Sequence, residues 1–230
     1  MKENYYAKSL NAKRLYEVYE TKYPRVKQYF DAEIAFVKDR LRDTEHVLEL
    51  GAGYGRIMKA LAPRCKTITG IDISEGNVAF GQEYLHETPN AKLFVLDAHQ
   101  VTPGAFDTPF EAVLCMQNAM SAMKVEPFSY VEKIMALLSP GGRAWISTYS
   151  AKFWEHRLAW FLEQAEKGLL GEIDLEQTKD GVIVGKDGFR AVTHTPDELR
   201  EIGKASGCPY EVQEVDESSV FLVITKEGVM

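Results

Sequence analysis

The chain has 230 residues, a net charge of −7 and 45% hydrophobic residues, enough for one sizeable domain with a full core. The acidic balance argues against a broad nucleic-acid footprint, and no apolar run approaches the roughly 18 residues of a membrane span. Three dispersed cysteines, Cys65, Cys115 and Cys208, fit a reducing compartment, and no CxxC or HxxxH pair points to a metal.

Residues 5–20 and 25–41 read as helices, with Leu10, Leu15, Val18, Ile34, Val37 and Leu41 facing inward. The opening MKENYYAKSL lacks a signal-peptide h-region, which gives a cytoplasmic expectation. Residues 1–28 carry seven Lys/Arg against three Glu, so the remainder carries −11. A solvated helix face is the plain reading of that excess, and a surface for an anionic substrate the sharper one. Strands are expected at His46–Leu50, Thr67–Ile71, Lys92–Leu96, Ala112–Met116 and Ala144–Tyr149. Helices are expected between them at Gly55–Leu61, Glu75–His86 and Pro127–Leu138, with a turn at Ser139-Pro140-Gly141-Gly142. This alternation predicts an α/β fold with a mainly parallel sheet. Lys152–Lys167 is an aromatic-rich helix candidate, and Gly181–Val192 a hairpin turning at Lys186-Asp187-Gly188. Thr195, Pro196 and Glu198 announce another helix by a capping box. Tyr210–Val215 and Ser219–Thr225 read as a closing antiparallel pair. The predicted organisation is an N-terminal helical cap or lid at 1–42 and a domain at 43–230 with an insertion at about 150–195.

The most informative stretch is VLELGAGYGRIMKALA, Val47 to Ala62. Gly51, Gly53 and Gly55 follow a strand and precede a helix. In an open α/β sheet that turn lies at the carboxyl ends of the strands, where ligands bind. A dinucleotide fingerprint needs a glycine where Arg56 stands, and Glu49 is an awkward neighbour for a pyrophosphate. A carboxylate there suits a cationic ligand. ELGAGYGR resembles motif I of the class I S-adenosylmethionine-dependent methyltransferases, whose turn cradles the amino-acid end of the cofactor. The resemblance extends to Asp72, 21 residues after Gly51, to Asp97-Ala98 in FVLDAHQ, to FEAVLCMQNAM, and to LLSPGGRAWIS. It covers roughly Glu45 to Tyr149 and implies a Rossmann-like, seven-stranded, mostly parallel sheet with an antiparallel last strand, flanked by helices.

It also implies the cofactor S-adenosylmethionine, with S-adenosylhomocysteine as product. By the same resemblance Glu49, Gly51, Ala52 and Gly53 hold its methionine end, Asp72 and Ile73 its ribose, and Asp97 and Ala98 its adenine, with Gln117 also at the cofactor. Methyl transfer from a sulfonium needs positioning and water exclusion more than a fixed triad, and no catalytic residue is assigned. Acceptor-side candidates are Asn118, Tyr149, His156 and, from the N-terminal segment, Tyr5 and Tyr6. Asn118 as a loop cap and His156 as a structural histidine are the plainer readings. Phe153, Trp154, Trp160 and Phe161 beside His156 read first as core.

The expected acceptor is a small molecule, with no membrane or nucleic-acid partner and a monomeric or homodimeric state. Alternatives are a tRNA or protein methyltransferase, a dinucleotide-binding oxidoreductase and a silent cofactor-binding protein. Arsenic as acceptor is disfavoured, because Cys65 and Cys115 are not expected to converge.

Overall fold

A computed structural model of the chain describes residues 12–228. Its elements begin with two helices, α1 (Lys13–Tyr19) and α2 (Pro24–Lys38). An alternating series follows: β1 (His46–Leu50), α3 (Arg56–Leu61), β2 (Thr67–Asp72), α4 (Glu75–Tyr84), β3 (Ala91–Val95) and β4 (Phe110–Cys115). A short α5 (Ala119–Ala122), α6 (Pro127–Leu137) and β5 (Leu138–Tyr149) complete it. The insertion holds α7 (Trp154–Glu166) and a two-stranded hairpin, β6 (Ile183–Val184) and β7 (Arg190–Ala191). The chain then returns through α8 (Pro196–Ala205), β8 (Tyr210–Val215) and β9 (Ser219–Thr225).

The main sheet has seven strands in the order β3-β2-β1-β4-β5-β9-β8. The first five are parallel, and β9 runs antiparallel to both β5 and β8. Because β1 lies at the centre and the chain steps outward first to β2 and later to β4, the order reverses there. The glycine turn after β1 therefore sits at the topological switch point.

Parallel strands covered on both faces carry apolar side chains at every position, and side-chain alternation sends them to opposite sides. Leu48 and Leu50 join a layer with Val131 and Ile134 of α6 and Leu199 and Ile202 of α8. Val47 joins the other layer, with Phe36 and Val37 of α2, Ile57 and Met58 of α3 and the fully buried Trp145. Thr195 caps α8 through the reciprocal bonds expected of its sequence, Glu198 N–H to Thr195 Oγ1 at 3.2 Å and Thr195 N–H to Glu198 Oε2 at 2.7 Å.

The fifth strand differs from expectation. It starts at Leu138, not Ala144, and the Ser139-Pro140-Gly141-Gly142 signal lies inside it. The pairing with β4 jumps there from Phe110↔Leu138 to Ala112↔Arg143, with Gly141 at φ +78°. The turn chemistry is spent on a bulge within the ladder, not on a loop before it.

A third cluster builds the molecule's upper end. Val18, Tyr29 and Phe30 from α1 and α2 pack with Tyr149, Phe153, Trp160, Phe161, Ile183 and Phe189. Polar ties reinforce it. Trp160 Nε1 donates to Val18 O at 3.0 Å, Lys22 N–H to Glu163 Oε1 at 3.0 Å and Arg14 to Gly168 O at 2.7 Å. The N-terminal helices and the insertion thus form one wall above the strand ends.

Candidate active site

The glycine turn bends with Gly51, Gly53 and Gly55 at φ +73°, +57° and +84°, values an L side chain strains to reach. Its amides are turned inward. Gly51 N–H and Ala52 N–H both donate to Ile71 O, at 3.0 and 2.9 Å, Gly53 N–H donates to Asp72 Oδ2 at 2.9 Å, and Gly55 N–H to Ala52 O at 2.9 Å. A pyrophosphate cradle needs such amides free to face the ligand. This turn instead clamps itself to the end of β2 and leaves ligand recognition to side chains.

Those side chains border a cavity of about 640 Å³, within the range of small-molecule sites. Glu49, Gly51, Ala52, Gly53, Asp72, Ile73, Asp97, Ala98, Gln117, Asn118 and Tyr149 all line it. Asp72 accepts from Gly53 N–H, from Ser74 N–H at 2.9 Å and from Asn77 Nδ2 at 3.1 Å. Burial raises its pKa, and these three donors oppose the rise. Asn77 Oδ1 in turn accepts from Ala12 N–H at 2.7 Å, so the start of α1 is tied to the Asp72 corner. Asp97 accepts from His99 N–H at 2.9 Å.

Glu49 is 3% exposed, and its Oε2 has no hydrogen-bond partner. Burial lifts its pKa to about 8; Arg56 pulls it down in part and Asp72 pushes it further up. Arg56, the first residue of α3, also borders the cavity. Its guanidinium lies 4.3 Å from the Tyr19 ring and 5.1 Å from the Phe30 ring, and its buried Nε and Nη2 are without partners. The site therefore holds a buried acid and a half-buried cation, both reaching the cavity and not bridged to each other. A zwitterionic amino-acid group between them would satisfy both, its ammonium at Glu49 and its carboxylate at Arg56. In the sequence Arg56 stands out only as a departure from the dinucleotide pattern. A cation opening the helix after a glycine turn is the signal that could have marked it.

Behind this pair lies Glu33 of α2, fully buried and with neither oxygen hydrogen-bonded. Burial lifts its pKa to about 7, and the neighbouring polar groups of Ser147, Arg56, Tyr29 and Gln117 moderate the rise. Periodicity gives no warning of it, since it occupies the apolar stripe Val26, Tyr29, Phe30, Glu33, Phe36, Val37.

Gln117 and Asn118 follow β4 in the left-handed region, at φ +54° and +60°. Gln117 N–H is held by Ser147 Oγ at 2.7 Å. Asn118 is used up internally: its Nδ2 donates to Val192 O at 2.8 Å and its Oδ1 accepts from Thr148 Oγ1 at 2.9 Å. It pins the hairpin to β5, which leaves the Gln117 side chain, whose Nε2 has no hydrogen-bond partner, as the free amide of this pair at the cavity. Tyr149 is buried, with the Arg157 guanidinium 4.3 Å from its ring. His156 is exposed and does not border the cavity, which corrects its candidacy as an acceptor residue. Tyr5 and Tyr6 lie outside the described residues. Cys65 and Cys115 are buried, the first with its thiol on Leu61 O, and no group of acids, histidines and cysteines among the described residues could hold a metal. No described helix is long and apolar enough to cross a membrane.

Comparison with known proteins follows the same outline. Residues 47–142 match the model of a methyltransferase domain. A ubiquinone biosynthesis O-methyltransferase of Dechloromonas aromatica is 32% identical over 108 residues, covering 45% of this chain and 44% of that protein. The chain thus spans less than half the length of that relative. Among solved structures, an S-adenosylmethionine-dependent methyltransferase of Methanosarcina mazei superposes with a TM-score of 0.61 at 17% identity, covering 84% of this chain and 98% of its own. The structure of DhpI with S-adenosylhomocysteine superposes with a TM-score of 0.62 at 19% identity, covering 98% and 95%. At such identities the superpositions establish the fold. The strand order and the superpositions show the Rossmann-like fold of the class I methyltransferases, and within it residues 47–142 match a methyltransferase domain.

Proposed function

We propose that the chain is an S-adenosylmethionine-dependent methyltransferase that methylates a small molecule by in-line displacement. The observation that carries this reading is the placement of Glu49, Asp72 and Asp97, from the ends of three successive strands, along one cavity with the glycine turn. In this reading Glu49 and Arg56 hold the methionine end, Asp72 the ribose hydroxyls and Asp97 with the Ala98 amide the adenine. When bound, the cofactor supplies a methyl group already activated on a sulfonium. The protein's task is then to orient the acceptor and exclude water. Residues 1–42 and 150–195 serve as the lid, which accords with their joint wall of aromatic side chains over the strand ends.

A small acceptor is favoured over tRNA or protein by the fate of the N-terminal basic residues. Arg14 is bonded to Gly168 O, Lys22 pairs with Glu166 at 3.4 Å and Arg25 with Asp216 at 2.6 Å. Charges engaged within the chain contribute little to a phosphate footprint. Calorimetric titration with S-adenosylmethionine, S-adenosylhomocysteine and NADH tests the assignment. Micromolar binding of the first two and none of NADH is expected. Binding of NADH alone would overturn it.

A further inference from the structure

Past the cofactor residues, the cavity continues beneath α7 and the hairpin. Its wall there is made by Tyr149, Trp160, Phe161, Leu170 and Phe189, with the carboxamide of Gln164 set among them. Trp160, Phe161 and Gln164 share a face of α7 at helical spacing, so the same geometry that buries the two rings brings the amide to the cavity. Gln164 is 3% exposed, and its Nε2 has no hydrogen-bond partner. The adjoining Glu163 shows the contrast, since Lys22 N–H and Lys167 Nζ, each at 3.0 Å, and Thr21 occupy its carboxylate. An amide donor left unmet in a buried site is unfavourable, so a ligand oxygen that accepts from it gains affinity.

Resting on the methyltransferase reading, we propose that Gln164 recognises the methyl acceptor and that the acceptor is an aromatic ring bearing a hydroxyl group, its oxygen accepting from Gln164 Nε2. The flanking rings supply stacking and edge contacts for a flat molecule. The acids bordering the cavity, Glu49, Asp72 and Asp97, all stand at the strand ends, so an ammonium beside Gln164 would meet no carboxylate.

The test uses the full chain saturated with S-adenosylhomocysteine and titrated with catechol, toluene and benzylamine. Wild type should bind catechol more tightly than either of the others. Gln164→Leu removes the donor at nearly constant volume. It should weaken catechol about tenfold, the equivalent of one hydrogen bond, and leave toluene unchanged. Gln164→Glu, which offers a carboxylate, should turn the preference toward benzylamine. Equal weakening of catechol and toluene by Gln164→Leu, or a wild-type preference for benzylamine, overturns the proposal while leaving the methyltransferase reading intact. Failure of S-adenosylhomocysteine to bind wild type overturns that reading and this inference with it.

Discussion

Glu49→Gln separates what the buried carboxyl does to the fold from what it does for the ligand. The pKa of Glu49 is lifted from 4.5 to about 8. A folded-state value above the unfolded one means that the protonated form is the one the fold favours. The stability linked to this group is complete below about pH 4.5 and is lost as pH rises toward 8. At about 1.36 kcal/mol per unit, the loss reaches roughly 3 kcal/mol at pH 7 and 4–5 kcal/mol above pH 8.5. The neutral amide of the Glu49→Gln variant carries no such loss. The variant without ligand should therefore melt higher than wild type near pH 7, by about 6–12 °C for a chain of this size, and the two should converge near pH 4.5. Binding should move the other way. The ligand's ammonium needs the ionised carboxylate, so wild type should release close to one proton on binding S-adenosylhomocysteine at pH 7, and its affinity should rise with pH up to about 8. The variant should bind more weakly and release none. Thermal melting across pH and calorimetry in buffers of different ionisation enthalpy read both effects. Parallel stability curves for the two proteins, together with equal proton release, would refute the assignment.

Arg56→Met keeps the helix start and the packing between Tyr19 and Phe30 but removes the guanidinium whose Nε and Nη2 are without partners. Affinity for S-adenosylhomocysteine should fall about ten- to a hundredfold, with little change for decarboxylated S-adenosylhomocysteine in a parallel titration. Asp72→Ala removes the acceptor shared by Gly53, Ser74 and Asn77. Cofactor binding should weaken by about 1.5–3 kcal/mol, and wild-type affinity in the variant would disprove the ribose assignment. Gly81→Ala sets a Cβ 2.8 Å from Tyr54 O and against Leu93 Cδ2, where α4 meets the glycine turn. The backbone contact cannot yield like a side chain, so denaturant melts should show a loss of about 1–3 kcal/mol.

The cofactor half is legible in the sequence because its signals are local. A strand that ends in Glu49, a turn that needs positive φ at alternate residues and a helix behind it are all contained in sixteen neighbouring positions. Asp72 and Asp97 follow from the same strand-end logic. What stays hidden depends on contacts between distant segments. Asn118 is drawn into a bond with Val192, 74 residues away, and no local pattern announces that. Glu33 is one polar residue in a helical stripe whose polar neighbours, Tyr29 apart, come from three other segments of the chain. Gln164 looks like a gap in an aromatic run until α7 is laid over the cavity. His156 fails for a related reason: the buried face of α7 runs through Arg157, Trp160, Phe161 and Gln164, and position 156 lies at its margin. The fifth strand begins earlier than its sequence suggests because a turn signature and a bulge use the same residues, and only the register with β4 distinguishes them.

The two halves of the cavity rest on different structural foundations, and this bears on how acceptor choice could change. The cofactor half is fixed by the sheet: its acids stand on strand ends, and its turn is bonded to β2. Moving any of them disturbs the central ladder. The acceptor half is built by α1, α7 and the hairpin; Arg157 of α7 is bonded to Gly181 O at 2.9 Å within the insertion, and Asn118 links Val192 to Thr148 of β5. Substitutions at Trp160, Phe161, Gln164 or Phe189 alter the wall without touching a strand pair, so their energetic consequences stay within the lid. Glu33 and Tyr29 are the exception. They lie where the lid helix α2 meets the sheet, beside both Arg56 and Ser147, so a change in the ionisation of Glu33 is felt at the boundary between the halves. With its pKa near 7, that carboxyl changes charge in the same pH range in which Glu49 gains its ligand, and the two acids share Arg56 as counter-charge. Whichever acid ionises first holds the guanidinium's field and raises the pKa of the other, which couples the packing of the lid helix to occupancy of the cofactor half.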